Sequence, residues 1–183
     1  MNAFQVKLKD AYYVCVENHY DPRGSFCESF NQQQFNELTN TNHQFVQDNI
    51  SYSYKRGTLR GLHHQKKFPQ GKLIRVLDGL IYDVIVDLRK SSPTCGKFFG
   101  MYLRSSVNMM LWVPPGFAHG FITLEDNTRV MYKVTDYYHP EDEHVLAYDD
   151  KTLAIEWNML GVDHIITSDR DRLGTPLEQN LVE

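Results

Sequence analysis

The chain has 183 residues, with 19 Lys and Arg against 23 Asp and Glu, a net charge of −4 and a pI near 6.0. That length suits one domain, 1–183, able to bury a core without disulfides or metal, and a mildly acidic chain with no basic block argues against nucleic acid as a partner. No apolar run approaches the ~20 residues of a membrane span, and the N-terminus lacks the layout of a signal peptide. Cys15, Cys27 and Cys95 are widely spaced and odd in number, so they read as small hydrophobes in a reducing compartment, and a cytoplasmic location is expected.

Tyr and Phe lead the aromatics, and Gly and Pro punctuate the chain, which is the vocabulary of strands and turns. Strands are expected over 12–17 and 24–30, a helix over 32–38, then strands over 44–54, 58–64, 72–77 and 80–88. Asp78-Gly79 between two of these is a hairpin signal. Along 80–88 the even positions (Leu80, Tyr82, Val84, Val86, Leu88) are all apolar, while the odd ones mix Ile81 and Ile85 with Asp83 and Asp87. Further strands follow over 98–103, 109–113, 116–124 and 128–137, and the tail from Ile165 has room for a short helix. Some ten short strands at this spacing imply an all-β jelly-roll barrel with a few short helices and an open mouth for a ligand.

Three segments interrupt the strand pattern with polar groups: Arg60-Gly61-Leu62-His63-His64-Gln65 followed by Gly71-Lys72, Pro115-Gly116-Phe117-Ala118-His119-Gly120, and Tyr132-Lys133 with Tyr137-Tyr138. A histidine exchanges protons near neutrality, Lys72 and Arg60 can hold negative charge, and Tyr132 can act as an acid. Each also has a plain structural reading, as a core histidine, a rim tyrosine or a turn glycine. Gly57 to His63 fits the first half of the cupin metal pattern and Pro114 to His119 fits the second. The second His of that pattern is Gln65, however, and Pro69 and Gln70 stand where its Glu would be. A divalent metal needs three or four ligands, so no metal is expected.

Taken in order, several segments resemble the dTDP-4-dehydrorhamnose 3,5-epimerase family of the cupin class. They are Asp21-Pro22-Arg23-Gly24-Ser25-Phe26, Gln47-Asp48-Asn49, Leu59-Arg60-Gly61-Leu62-His63, Gln70-Gly71-Lys72-Leu73, residues 83–94, residues 115–121 and Tyr132-Lys133. The likeness runs from about residue 10 to about residue 172. It implies a cupin-type jelly roll, and conversion of dTDP-4-dehydro-6-deoxy-D-glucose to dTDP-4-dehydro-L-rhamnose without a cofactor. The resemblance makes His63 the base, Asp171 its orienting carboxylate, Tyr132 the acid across the sugar ring and Lys72 the cation beside the C4 carbonyl. The ketone acidifies the C3 and C5 protons; removal of one leaves an enolate, and reprotonation from the opposite face by Tyr132 or water inverts the centre.

Substrate contacts carried over by the same likeness are Arg23, Glu28, Gln47, Asp48, Asn49, Arg60, His119, Glu143 and Arg170, with Tyr138 available to stack on the base. The segment 21–30 reaches the neighbouring subunit's site in the family, which implies a homodimer. Three positions depart from the family pattern: Arg170 replaces a common Lys, His64 a frequent Tyr, and Asn158 after Trp157 a usual Pro. Strict alternation would place Arg60 and His63 on opposite strand faces, so either Gly61 marks a bulge or Arg60 acts from the strand end. Inversion at C3 or C5 alone, a non-catalytic nucleotide-sugar binder and a metal-dependent cupin stay open on sequence alone. Asp83 is either a partner of Lys72 or a plain buried charge.

Overall fold

The computed structural model describes residues 1–183 and places their apolar strand faces against one another in two antiparallel sheets. In chain order the elements begin with β1 (Asn2–Gln5), β2 (Tyr12–Cys15), β3 (His19–Asp21), β4 (Gly24–Phe26), α1 (Gln32–Thr39) and β5 (Gln47–Ser53). There follow β6 (Leu59–Gln65), β7 (Lys72–Asp78), β8 (Leu80–Asp87), β9 (Phe98–Arg104), β10 (Met109–Val113) and β11 (Phe117–Thr123). The last are β12 (Thr128–Val134), β13 (Glu143–Val145), α2 (Asp169–Arg172) and α3 (Leu177–Asn180). One sheet runs β1-β2-β10-β7-β12-β5 and the other β13-β6-β11-β8-β9, while β3 and β4 form a separate hairpin. This is the expected jelly roll.

The core lies between the sheets, where Ile74, Val76, Leu111 and Val130 meet Ile81, Ile85, Leu103 and Phe121. Each such side chain contributes about 1.5–3 kcal/mol by leaving water. On the outer side of the six-stranded sheet, α1 is capped by the Asn31 side chain, which accepts from the Gln34 N–H, and it ends at Asn40 in the left-handed region. Its Phe35 is fully buried against Trp112 and Phe45, anchoring the helix.

Two expectations are corrected. Asp78-Gly79 is no hairpin: β7 already pairs with β10 and β12, and β8 with β11 and β9, so the two strands belong to different sheets. Gly79 (φ +85°) turns the corner between sheets, and a Cβ there would lie 2.4 Å from Thr128 Oγ1. The alternation along β8 holds, with both of its faces covered. Its apolar even face is covered by Leu146, Leu153 and Leu177 of the C-terminal segment, and the mixed odd face, with Asp83, looks between the sheets. Strand 24–30 stops at Phe26, and Phe30 instead packs edge-on to Phe45 beneath α1. The short strands β1, β3 and β13 carry no strong alternation and were not among the expected elements.

Candidate active site

A cavity of about 690 Å³ opens between the sheets, walled by β5, β7 and β12 on one side and β6, β11 and β13 on the other, with α2 closing one end. Alternation selects what each strand offers. On β5, Gln47, Asn49 and Ser51 line the cavity, and on β12 Tyr132 does, pairing across to Asn49.

The β6–β11 ladder resolves the problem of Arg60 and His63. His119 pairs with His63 and Phe121 with Arg60, so two residues of β6 stand opposite Gly120 alone. This bulge turns both Arg60 and His63 into the cavity. The backbones approach so closely that a Cβ on Gly61 (φ +109°) would lie 2.6 Å from the His119 carbonyl, and one on Gly120 2.7 Å from the Arg60 carbonyl. Only glycines fit.

His63 Nε2 is 2.7 Å from Asp171 Oδ1, and Asp171 Oδ2 accepts the Gly61 N–H at 3.3 Å. The carboxylate is placed by local chemistry, since Ser168 caps α2 by accepting the Asp171 N–H. Burial works against the charged form of Asp171, but the bond to His63, with support from Gly61 and Ser168, outweighs it and holds the carboxyl below its ordinary range. An acceptor at Nε2 fixes the proton there and leaves the Nδ1 lone pair facing the cavity.

The floor is buried and charged. Lys72 is buried, its Nζ donates to the His63 carbonyl at 3.2 Å, and burial lowers its pKa to about 8 despite the nearby charges of Glu143 and Asp83. Asp83, wholly buried, takes His119 Nε2 at 2.9 Å. Burial pushes its carboxyl up, against the opposing pull of His119 and Lys72. Its hydrogen-bond partner is therefore His119, with Lys72 acting only through its charge. Tyr132 is raised above its ordinary value by burial first and the Glu143 charge second.

The rim is wetter. Glu143 Oε2 receives Arg170 Nη2 at 2.5 Å and the Tyr138 hydroxyl, while its Oε1 lies 3.9 Å from His63 Nδ1. Arg60 donates to Ser53 Oγ at 3.2 Å and the Tyr52 carbonyl at 3.1 Å, both neutral, leaving its charge uncompensated. Ser51 Oγ and Thr167 Oγ1 are buried in the cavity wall without protein partners.

His63, Tyr132, Lys72, Asp171, Gln47, Asn49, Arg60, His119, Tyr138, Glu143 and Arg170 thus converge on one cavity. Asp48 does not, which corrects its place among the substrate contacts: alternation turns it to the outer face, where Lys133 Nζ donates to it at 2.9 Å. Arg23 and Glu28 lie away from this protomer's cavity, and Arg23 is spent on Asp21 at the tip of the β3–β4 hairpin. Gln65 also points elsewhere, donating to the Phe68 and Tyr137 carbonyls and accepting the His139 N–H. Sequence reasoning missed Gln70, Ser51, Thr167 and Ser168 in the wall. Continuing the 47, 49 alternation reaches Ser51, and a Ser three residues before Asp171 is a cap signal that marks Ser168.

Comparison with known proteins identifies the family. The family model described as dTDP-4-dehydrorhamnose 3,5-epimerase matches residues 5–179. The dTDP-4-dehydrorhamnose 3,5-epimerase of Methanothermobacter thermautotrophicus is 44% identical over 178 residues, covering 97% of this chain and 95% of the relative. The crystal structure of the Bacillus anthracis enzyme of that name, with TDP and PPi bound, has a TM-score of 0.90 at 44% identity, covering 96% of this chain and 98% of that one. The dTDP-6-deoxy-D-glucose-3,5-epimerase of Legionella pneumophila, in complex with dTDP-4-keto-L-rhamnose, has a TM-score of 0.93 at 38% identity, covering 100% of this chain and 97% of that one. The chain belongs to the dTDP-4-dehydrorhamnose 3,5-epimerase family.

Proposed function

We propose that the chain, acting as one cupin-like domain, epimerises dTDP-4-dehydro-6-deoxy-D-glucose at C3 and C5 to dTDP-4-dehydro-L-rhamnose in dTDP-rhamnose biosynthesis. The observation that carries this reading is the His63–Asp171 pair opening onto the same cavity as Lys72 and Tyr132. His63 Nδ1 takes the proton α to the C4 ketone, and Asp171 stabilises the imidazolium that forms. The electron pair moves to the ketone oxygen, where the Lys72 ammonium holds the enolate. Tyr132 delivers a proton to the opposite face, and the centre inverts. Exchange with solvent then takes the proton from His63 and returns one to Tyr132, and the same steps at the second carbon complete the reaction, with no net change of oxidation state.

Arg60 and Arg170 supply the guanidinium donors that a diphosphate requires. Tyr138, half-exposed at the rim, offers a ring face to the base. The hairpin β3–β4 exposes Tyr20 and Phe26, at 77% and 71%, and this supports a homodimer in which segment 21–30, with Arg23 and Glu28, completes the partner's site. A cytoplasmic location agrees with three free cysteines and with a structure in which no helix is long and apolar enough to cross a membrane.

Incubation with the 4-keto-6-deoxyglucose nucleotide in deuterated water, followed by NMR, tests the reading. Deuterium is expected at both C3 and C5, with the L-rhamno product trapped by a coupled 4-ketoreductase. Uptake at one carbon alone makes it a mono-epimerase, and no uptake ends the proposal. Mixing His63→Ala and Arg23→Ala protomers tests the dimer: activity above that of either variant alone is expected, and none argues against a shared site.

A further inference from the structure

Glu143 has an unusual position, because its two oxygens serve two different sites. Oε1 lies 3.9 Å from His63 Nδ1, the nitrogen left free by the bond to Asp171, and Oε2 is occupied by Arg170 and Tyr138. The Arg170 side chain is 49% exposed, so it is reachable from solvent, whereas that of Glu143 is only 12% exposed. Of the two carboxylates near the base, Asp171 is committed to Nε2 and to the Gly61 N–H. Glu143 is the one on the Nδ1 side, and its charge is muted by a movable cation.

We infer that Glu143 is a positioning residue that couples diphosphate binding to the strength of the base. In the empty site Arg170 neutralises Glu143. An incoming diphosphate competes for the Arg170 fork, and Glu143 is released to stabilise the protonated imidazole through its other oxygen. His63 then becomes a stronger base only when a nucleotide diphosphate is seated, which restricts proton abstraction to the tethered sugar. This deepens the proposed function and rests on it for the identity of the ligand.

The other groups facing His63 are fixed by contrast. Lys72 from β7 is buried and bonded to the His63 carbonyl, His119 from β11 is held by Asp83 of β8, and Tyr132 from β12 is half-buried. Arg60, on the same strand as His63, is tied to Ser53 and Tyr52, and Tyr138 leans on Glu143 itself. Arg170 is the one cation in this set that a ligand can draw from a carboxylate.

The test is an NMR titration of His63 in the intact enzyme with labelled histidine. In the free enzyme Glu143→Gln is expected to move the His63 titration midpoint down, and Arg170→Met to move it up, each by about one pH unit, or tenfold in proton affinity. A merely structural role would not give opposite signs, so shifts in the same direction overturn the inference. Saturating dTDP is expected to raise the midpoint in the wild type by about one pH unit, and by less than a third of that in either variant. A full shift in Glu143→Gln means the diphosphate acts directly on the base, and overturns the coupling. Glu143→Asp is expected to restore at least half of the wild-type response. The free-enzyme comparison needs no ligand, so failure of dTDP to bind overturns the substrate reading, and the coupling with it, while the sign test still decides whether Glu143 and Arg170 act on His63.

Discussion

Asp171→Asn is the sharpest perturbation of the proposed base. The carboxylate accepts two donors, His63 Nε2–H at 2.7 Å and Gly61 N–H at 3.3 Å, and an amide has only one oxygen to give. If that oxygen stays on Nε2–H, the NH2 group opposes the Gly61 N–H and a buried donor is orphaned, at about 1–3 kcal/mol. If it stays on Gly61, the NH2 donates to Nε2 and drives the imidazole proton to Nδ1, which removes the base. Both orientations lose the negative charge that supports the imidazolium. The expected outcome is a fall in kcat of about 10²–10⁴, equivalent to roughly 3–5 kcal/mol of barrier, with KM within a few-fold of wild type. Deuterium wash-in at C3 and C5, measured by NMR in deuterated water, reads the loss directly. Exchange within threefold of wild type, in a variant that still binds dTDP, would refute the orienting role.

Lys72 sets an alkaline limb. With its pKa lowered to about 8 by burial, kcat is expected to fall above about pH 8 with a one-proton slope, because Tyr132 is raised and titrates later. The folded lysine binds its proton less tightly than the unfolded one, so between about pH 8 and 10.5 the unfolded state holds more protons and this group's contribution to stability rises with pH. Activity and urea-unfolding profiles on one sample check both signs. Tyr132→Phe is expected to cut inversion by about 10²–10⁴ while His63-side exchange continues with retention, and equal loss of exchange and inversion would contradict its role as the opposite-face acid. Asp87→Ala removes a wholly buried carboxylate bonded to Arg89, Ser92 and Thr94, outside the cavity wall. It is expected to cost about 3–5 kcal/mol and to lower Tm by roughly 6–20 °C, with specific activity retained.

Strand periods and turn residues made the barrel legible, because alternation reports burial wherever one face of a strand is covered. Along β8 it separates the two faces without telling that the C-terminal segment covers the second, and at Asp78-Gly79 the dipeptide signals a turn without stating which sheet receives the next strand. Alternation also decides the site, and applied along β5 it would have set Asp48 aside beside Gln47 and Asn49. Arg60 and His63 required the bulge at Gly61, for which the sequence offered a glycine but no register. The pairing of Asp83 with His119 joins residues 36 apart on adjacent strands, and no local signal encodes such a contact.

The division of the cavity into a buried floor and an exposed rim gives the proposed reaction separate places for two negative charges of different kinds. The diphosphate is charged before it binds, and in the proposed function it is met at the rim by Arg60 and Arg170, where solvent softens the cost of keeping the cations ready. The enolate exists only along the reaction path. On this proposal Lys72 meets it from a buried place that disfavours its own charge. An ammonium destabilised in the ground state gains most when a negative oxygen forms beside it, so the attraction grows as the proton leaves carbon. In the proposed mechanism that difference lowers the barrier instead of tightening substrate binding. Placed at the rim, the same lysine would be solvated in both states and would contribute little to the difference between them.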